Sequence, residues 1–358
     1  MFSNILLSKS NLIDNIKTLK EIGKGREICV MVKAEAYGHG AKEIVSILNE
    51  TVNFFGVSNQ MEAEEIRKKT DKTIIVFGAC NDYLECMKQD ISFALFSYFD
   101  AKNIIKIAKS EGLIPKFHLC LNTGMNRYGI KNTKELVKII NLLKKNKMQL
   151  EGIYTHFSSL TTDEKYTERQ KELFYNYLTY LPKDWKTIKH IGGGRSIFTD
   201  IETDMYRIGL ECYGYGNEFV KPVMKVESQI VDLQNVYCNE HIGYLCGYTA
   251  QKDMTIATIP LGYGDGLPRK LSNNLLVKVN GKKVKNVGNI CMDAFMIDVT
   301  DVSCKVGDKV IIMENASDIA PIIESTEYEV LTNFCSFRGG RLIYWFYKQT
   351  LQIYIYMI

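Results

Sequence analysis

A chain of 358 residues, 46% of them hydrophobic, is long enough for one large domain plus a smaller one, or for two to three modest domains. Its 45 basic and 41 acidic side chains leave a net charge of only +4, too small and too mixed for a nucleic-acid groove or a polybasic membrane patch. Glycine at 26 and proline at 6, with no low-complexity tract, exclude wholesale disorder, so a small molecule is the expected partner, with no nucleic acid and no membrane.

The N-terminus, MFSNILLSKSNLIDNIKTL, shows no basic stretch feeding an uninterrupted apolar run, so no secretory signal is expected and the cytoplasm is the expected compartment. A leading helix is predicted over Leu12–Ile22, where Leu12, Ile16 and Leu19 share a face. Eight apolar runs of β type follow: 28–33, 54–58, 73–78, 92–97, 116–121, 151–156, 187–191 and 205–213. Most are separated by amphipathic stretches; in 133–143, for example, Leu136, Ile139, Ile140 and Leu143 align behind an Asn132 cap. Continuous apolar strands alternating with helices predict a parallel sheet buried on both faces. Eight is the number that closes a barrel, so the α/β fold expected is an N-terminal (β/α)8 TIM-type barrel, with an open doubly wound sheet as the runner-up.

After Pro222 helical periodicity nearly vanishes. Runs at 229–237, 254–261, 275–279 and 295–299, with Asn280-Gly281 as a hairpin signal, predict a mostly antiparallel C-terminal β domain. The expected division is 1–222, 223–345 and an aromatic tail, 346–358, read as an extra strand or packed segment. Interrupted by Lys348, Gln349 and Gln352, the 17-residue run at the C-terminus is too short and too polar to span a membrane. The ten cysteines stand singly, never as Cys-x-x-Cys, and with the five histidines give no zinc-ligand spacing, so buried reduced thiols and no metal are expected.

In such a barrel, reactive groups collect at the C-terminal ends of the strands. That rule selects Lys33 at the end of the first run, Arg127 after the fifth, His156 at the end of the sixth and Arg207 in the eighth. A lysine closing the run Ile28-Cys29-Val30-Met31-Val32 is suited to Schiff-base chemistry, because desolvation lowers an amine's pKa. The glycine-flanked turn behind it, Ala34-Glu35-Ala36-Tyr37-Gly38-His39-Gly40-Ala41, can bring backbone and a phenol close to an anion.

The block MVKAEAYGHGA resembles the cofactor-lysine motif of the alanine racemases, a family of pyridoxal-phosphate enzymes. The resemblance continues in order through NTGMNRYG (122–129), GIYTHFSSL (152–160), YRIGLECYG (206–214), IGYLCGYTAQ (242–251), PLGYGDGLPRK (260–270), VGNICMD (287–293) and YEVLTNFCSFRGGR (328–341). It implies that Lys33 bonds covalently to pyridoxal 5'-phosphate and serves as one of two bases, with Tyr244 as the second, reaching into the partner subunit's site of a head-to-tail homodimer. Tyr248, four residues on, is the packing neighbour. Arg207 would donate to the pyridine nitrogen, and His156 would lie against the ring and link Tyr244 to Arg207. Tyr37, Gly194 and the backbone of Gly209 and Leu210 would hold the phosphate. Arg127 and Met292 would touch substrate, and Tyr263 would line the entrance. The implied activity is an isomerase reaction, interconversion of L- and D-alanine to supply peptidoglycan precursors. The alternatives are a racemase for serine or another small amino acid, and a weakened pyridoxal-phosphate-binding protein.

Several positions depart from the family pattern. Cys120 stands where a carbamylated lysine is usual, and Asn122 replaces an aspartate. Gly193-Gly194 replaces Asn-Ser, Phe337 replaces a tyrosine, and Glu35 replaces asparagine or aspartate. Loss of hydroxyls at 194 and 337 predicts weakened cofactor binding unless neighbours compensate.

Overall fold

The computed structural model describes residues 2–347 and 350–353. The chain opens with a strand, β1 (Asn4–Ser8), and the helix Lys9–Ile22, which buries Leu12, Ile16 and Leu19 as their spacing predicts. Eight parallel strands follow: β2 (Glu27–Met31), β3 (Phe54–Val57), β4 (Thr73–Val76), β5 (Ser92–Leu95), β6 (Phe117–Cys120), β7 (Gly152–Thr155), β8 (Ile188–Ile191) and β9 (Met205–Ile208). They pair in the order β8-β7-β6-β5-β4-β3-β2-β9. The remaining seam is bridged from the turn before β9, where Asp204 N–H donates to Lys189 O at 2.8 Å, making a nearly closed barrel. Each expected apolar run overlaps one of these strands, and the open doubly wound sheet is set aside.

Outside the barrel strands the helices bury one face each. In Thr133–Lys145 the Asn132 side chain accepts from Glu135 N–H at 2.9 Å, and Leu136, Ile139, Ile140 and Leu143 are buried. Inside the barrel the picture is mixed. Cys29, Ile75 and Met205 form an apolar layer with Phe54 and Ile188, whereas His118, His190 and Arg207 are also fully or nearly fully buried. Polar side chains in that position demand partners, since an unpaired buried polar group costs on the order of 1–3 kcal/mol.

The C-terminal strands are β10 (Met224–Gln229), β11 (Asp232–Val236), β12 (His241–Ile242), β13 (Tyr248–Thr249), β14 (Met254–Ile259), β15 (Leu276–Val279), β16 (Lys282–Val287), β17 (Phe295–Asp298), β18 (Lys309–Met313), β19 (Gly340–Tyr347) and β20 (Thr350–Ile353). All but the β12/β13 pair join β1 in one ten-stranded sheet. The β15–β16 hairpin turns at Asn280 and Gly281, both at positive φ (47° and 81°), the combination that makes Asn-Gly a two-residue hairpin turn. β1 runs parallel to β19 and antiparallel to β10, so the N-terminal strand belongs to the C-terminal sheet. Two compact units result. One comprises Asn15–Ala34 and Ile44–Cys212; the other gathers the segment up to Asp14, Glu35–Glu43 and the chain from Tyr213 onward. A linear division at 222 does not capture that interleaving, because a strand can be recruited into a sheet from anywhere along the chain. Of the aromatic tail, residues 348–349 and 354–358 lie outside the described residues; Tyr344–Tyr347 pair antiparallel with β20.

Candidate active site

The barrel's strand ends supply the first group of side chains. Lys33 does not close the first barrel strand: β2 stops at Met31, and Lys33 opens a five-residue helical turn, Lys33–Tyr37. Ala34, Glu35, Ala36 and Tyr37 have φ between 49° and 57°, and Gly38 follows at 81°. Consecutive left-handed residues cost roughly 1–2 kcal/mol each, so the turn has to be held from outside. Glu62 supplies one clamp, accepting from Ala34 N–H at 2.9 Å and Ser58 N–H at 2.8 Å. Glu35 supplies the other: its carbonyl accepts from Gly40 N–H at 2.8 Å and its carboxylate from Ala41 N–H at 3.0 Å. A Cβ on Gly38 would collide with Leu331 O. Tyr37 is buried against the Tyr213 and Tyr328 rings, with centroids 5.2 and 5.8 Å away.

The half-buried Lys33 amine is pulled below its usual pKa by desolvation and by the Arg127 charge, with Glu62 opposing. The same cations act on His156, which lies one residue past β7. Burial, then Arg207 and Arg127, lower its pKa to about 3, with a smaller contribution from Lys33, so the imidazole is neutral throughout the working range. Lys33, Arg127, His156 and Arg207 thus form one electrostatic neighbourhood.

Arg207 is 6% exposed and held from several sides. Nη1 donates to His190 Nδ1 at 2.8 Å and to His190 O at 2.9 Å. Nη2 donates to Thr155 O at 2.7 Å, to Gly192 O, and to His156 Nδ1 at 3.4 Å. The guanidinium also lies over the Tyr154 and Phe77 rings at 5.1 and 5.6 Å. Burial lowers its pKa only to about 10, so it stays charged at neutral pH. These contacts leave Nε–H as the donor without a protein acceptor among the described residues.

Because arginine only donates, the direction of the next bonds is set. His190 accepts at Nδ1, so its Nε2–H donates to His118 Nδ1 at 2.8 Å. His118 Nε2–H then donates to Glu151 Oε2 at 3.0 Å. Burial, Arg207 and His118 push His190 well below its ordinary pKa, as a neutral relay member requires. Burial raises Glu151, but hydrogen bonds from His118 and Ser92 and the Lys116 charge outweigh it and leave the carboxylate below its usual value. The sequence reading missed this chain; its only sign was two histidines placed inside otherwise apolar strands. Gly152 makes room for it, since a Cβ there would run into His118 Nδ1. Gly152→Ala is expected to cost about 3 kcal/mol, seen as a lower urea midpoint at unchanged slope.

Arg127 stands on the exposed loop after β6, with its guanidinium 5.8 Å from the Tyr128 ring, and no carboxylate among the described residues pairs with it. Cys120 shares a hydrogen bond with Tyr154, and burial raises its thiol to about 11, so it is neutral and cannot act as a counter-ion. Asn122 instead shapes the loop, its Oδ1 accepting from Gly124 and Asn126 N–H at 3.2 and 3.0 Å.

The loops after β8 and β9 bring together Gly194, Gly209 and Leu210. A Cβ at Gly194 would strike the carboxyl of Glu211, the residue after Leu210, so a side chain there would displace that carboxyl. Such loops after the last two strands are a common phosphate-binding place in barrels of this type.

The second unit carries the other expected residues. Tyr244 is 70% exposed in a short turn where Leu245 and Cys246 have φ of 59° and 51°. The turn is pinned by Asn289 Nδ2, which donates to Tyr244 O at 2.7 Å, and by Asn273 Nδ2, which donates to Gly247 O at 3.0 Å. Tyr248 packs on the buried cluster of Val236, Ile242, Ala250, Met254, Ile256 and Val287. Tyr263 and Met292 are neighbours, joined through Tyr263 N–H to Cys291 O at 3.0 Å and Gly264 N–H to Met292 O at 2.9 Å. Both are substantially exposed. Phe337 is buried against Phe334.

Family models for the alanine racemase N-terminal domain and C-terminal domain match residues 7–217 and 223–339. The chain is 35% identical to alanine racemase 1 of Clostridium acetobutylicum and 36% identical to the alanine racemase of Clostridium tetani, each over 349 residues. These alignments cover 90% and 89% of this chain and the same shares of the relatives. The chain belongs to the alanine racemase family. Among solved structures, the alanine racemase of Clostridium difficile 630 superposes with a TM-score of 0.89 at 31% identity, over 100% of this chain and 98% of that one. The alanine racemase of Bartonella henselae, solved with covalently bound pyridoxal phosphate, gives 0.84 at 26% identity, over 96% of this chain and 99% of that one.

Membership makes the protein a pyridoxal-phosphate-dependent isomerase that interconverts the enantiomers of alanine, and the serine-racemase and binding-protein alternatives are not favoured. The side chains present fit the cofactor. Lys33 is a desolvated amine, Arg207 keeps an uncommitted Nε–H, and Gly194 and Gly209 offer backbone at the loops after β8 and β9.

Proposed function

We propose that Lys33 and Tyr244 are the two bases of alanine racemisation in this chain, working in a cytoplasmic head-to-tail homodimer whose partner subunits complete each other's sites. The carrying observation is the Lys33 neighbourhood: a desolvated amine beside Arg127, a neutral His156 and a rigidly held Arg207. Inversion at a carbon requires a proton to leave from one face and return at the other, so two bases of comparable strength must flank it. Pyridoxal phosphate, held by Lys33, Arg207, Tyr37 and the backbone of Gly194, Gly209 and Leu210, supplies the electron sink that acidifies the α-hydrogen.

The rest is the work of this chain. The lowered pKa of Lys33 gives it a larger neutral fraction, which suits it to accept a proton. Arg207 would donate to the pyridine nitrogen of the bound cofactor without giving up a proton, which would restrain the electron sink and disfavour side reactions. His156 contacts Arg207, and its neutrality would let it relay a hydrogen bond from there to the second base. Arg127 meets the substrate carboxylate, while Met292 and Tyr263 bound the space for its side chain. The exposure of Tyr244 supports its use by a partner subunit. Among the described residues no helix is long and apolar enough to cross a membrane.

The test is exchange of the α-hydrogen in deuterated water, followed by proton NMR with L-alanine, L-serine and Lys33→Ala run in parallel. Alanine should exchange faster than serine, and the variant should show neither. Faster exchange on serine would overturn the substrate assignment.

A further inference from the structure

Glu211 is 1% exposed, and its Oε2 has no hydrogen-bond partner among the described residues. It follows the last barrel strand and projects across the loop after the preceding strand, over Gly194, where a Cβ would collide with Oε2. The backbone N–H groups of Glu211 itself and of Gly209 face its carboxyl and oppose part of the effect of burial on its pKa. A carboxyl therefore occupies the place where the family carries a serine side chain, and it lies beside Gly209, one of the residues assigned above to the phosphate.

A buried carboxylate beside a phosphate is repulsive as an anion and useful as an acid. Ionised, it competes for the same N–H groups and adds a like charge; protonated, it offers an O–H donor in place of the missing hydroxyl. We propose that Glu211 binds the cofactor's phosphate as a neutral carboxylic acid, donating its proton in a hydrogen bond to a phosphate oxygen, so that cofactor binding is coupled to uptake of one proton at this residue. The inference rests on the assignment of Gly194, Gly209 and Leu210 to the phosphate.

The surroundings favour the neutral form. Burial raises the Glu211 pKa, and Arg195, the charged group facing it from the loop after β8, opposes this only in part from an exposed position. On its own element the neighbouring ionisable group is Cys212, whose thiol burial holds neutral. A carboxyl with a raised pKa is protonated at low pH and ionises as pH rises. Cofactor affinity should therefore be present at low pH and lost as pH climbs through that pKa.

The measurement is the dissociation constant of pyridoxal phosphate for the apoprotein, by fluorescence quenching from pH 6 to 9, in wild type, Glu211→Gln and Glu211→Ala. Pyridoxal, which lacks the phosphate, is titrated beside it, and circular dichroism confirms that each variant is folded. Ionisation of the phosphate itself, near pH 6, is common to all three proteins, so only differences between them are read. Glutamine, a neutral donor of the same length, should bind with wild-type affinity at pH 6 and bind more tightly than wild type at pH 9. Alanine should bind about 10-fold or more weakly than wild type at pH 6, as expected for losing a hydrogen bond to a charged group. Pyridoxal binding should be the same in all three.

A Glu211→Gln protein that keeps the wild-type pH dependence would overturn the proposal, as would a Glu211→Ala protein that binds at least as tightly as wild type at every pH. If pyridoxal binding shifts in parallel with that of pyridoxal phosphate, Glu211 does not act on the phosphate and the proposal falls. Should wild type bind neither compound while folded, the failure lies with the assignment of the cofactor site and removes the premise along with the proposal.

Discussion

Lys33→Ala is expected to lower racemisation by at least ~10⁴-fold and to remove the near-visible absorbance of lysine-bound cofactor, because in the proposed mechanism one side chain would supply both the covalent hold and a base. Desolvation and Arg127 depress the pKa of its amine, while Glu62 keeps it from falling further. The substitution should leave the fold intact. Lys33 is only half-buried, and the left-handed turn behind it is clamped by Glu62 and Glu35 rather than by the lysine side chain. Absorbance spectra, a chiral assay and a thermal melt on the same preparation separate these effects. A variant with racemase activity within 10-fold of wild type would remove Lys33 from the mechanism.

Tyr244→Phe should have the second-largest effect, a loss of about 10²–10⁴-fold in both directions of racemisation, since each direction uses one base to remove the proton and the other to return one. Exchange of the α-hydrogen with solvent should nevertheless persist on one enantiomer only, the one whose hydrogen faces Lys33. Loss of exchange on both enantiomers would mean that Tyr244 supports the site without acting as a base.

The same variant tests assembly. When Lys33→Ala and Tyr244→Phe proteins are mixed and allowed to exchange subunits, a hybrid dimer that shares its sites has one complete site and one doubly defective site. Random pairing makes half of the dimers hybrid, so activity should recover to about a quarter of wild type. No recovery, after subunit exchange has been verified by mass, would place Lys33 and Tyr244 in the same subunit's site.

Much of the barrel is legible along the chain because its determinants are local. Each parallel strand is buried on two faces and reads as an apolar run, and each helix shows one apolar stripe, as in Thr133–Lys145 behind Asn132. The hairpin at Asn280-Gly281 is legible for a related reason: its two positive φ values favour those residue types. β1 is not legible in this way. Five residues at the N-terminus carry no sign that they will pair with β10 and β19, whose partner residues lie more than 200 positions away. β18 also went unmarked, since its run Val310–Met313 lacks a turn signal of the Asn-Gly kind.

The site divides similarly. Motif resemblance marks residues that must have one chemical identity, such as Lys33, Arg207 and Tyr244. It is silent on those that act through a neighbour. Glu62 is an ordinary helix glutamate until the chain places its carboxylate against Ala34 and Ser58. His118 and His190 come from β6 and β8 and Glu151 from the residue before β7, and they become a directed relay only when the barrel aims them at one another and at Arg207. Gly194 reads as a lost hydroxyl in the sequence, whereas in the structure it is the space taken by the Glu211 carboxyl.

The sequence by itself determined the alternation of strands and helices, the β-rich character of the second half and the identity of the residues suited to pyridoxal-phosphate chemistry, because hydrophobic period and functional-group chemistry are carried residue by residue. Tertiary structure alone decided that β1 joins the C-terminal sheet, that Lys33 heads a left-handed turn, that Cys120 is a neutral partner of Tyr154 and that Glu211 lies over Gly194. Each of those outcomes depends on desolvation, steric exclusion or hydrogen bonding between residues distant in sequence, and those interactions exist only after the chain has folded.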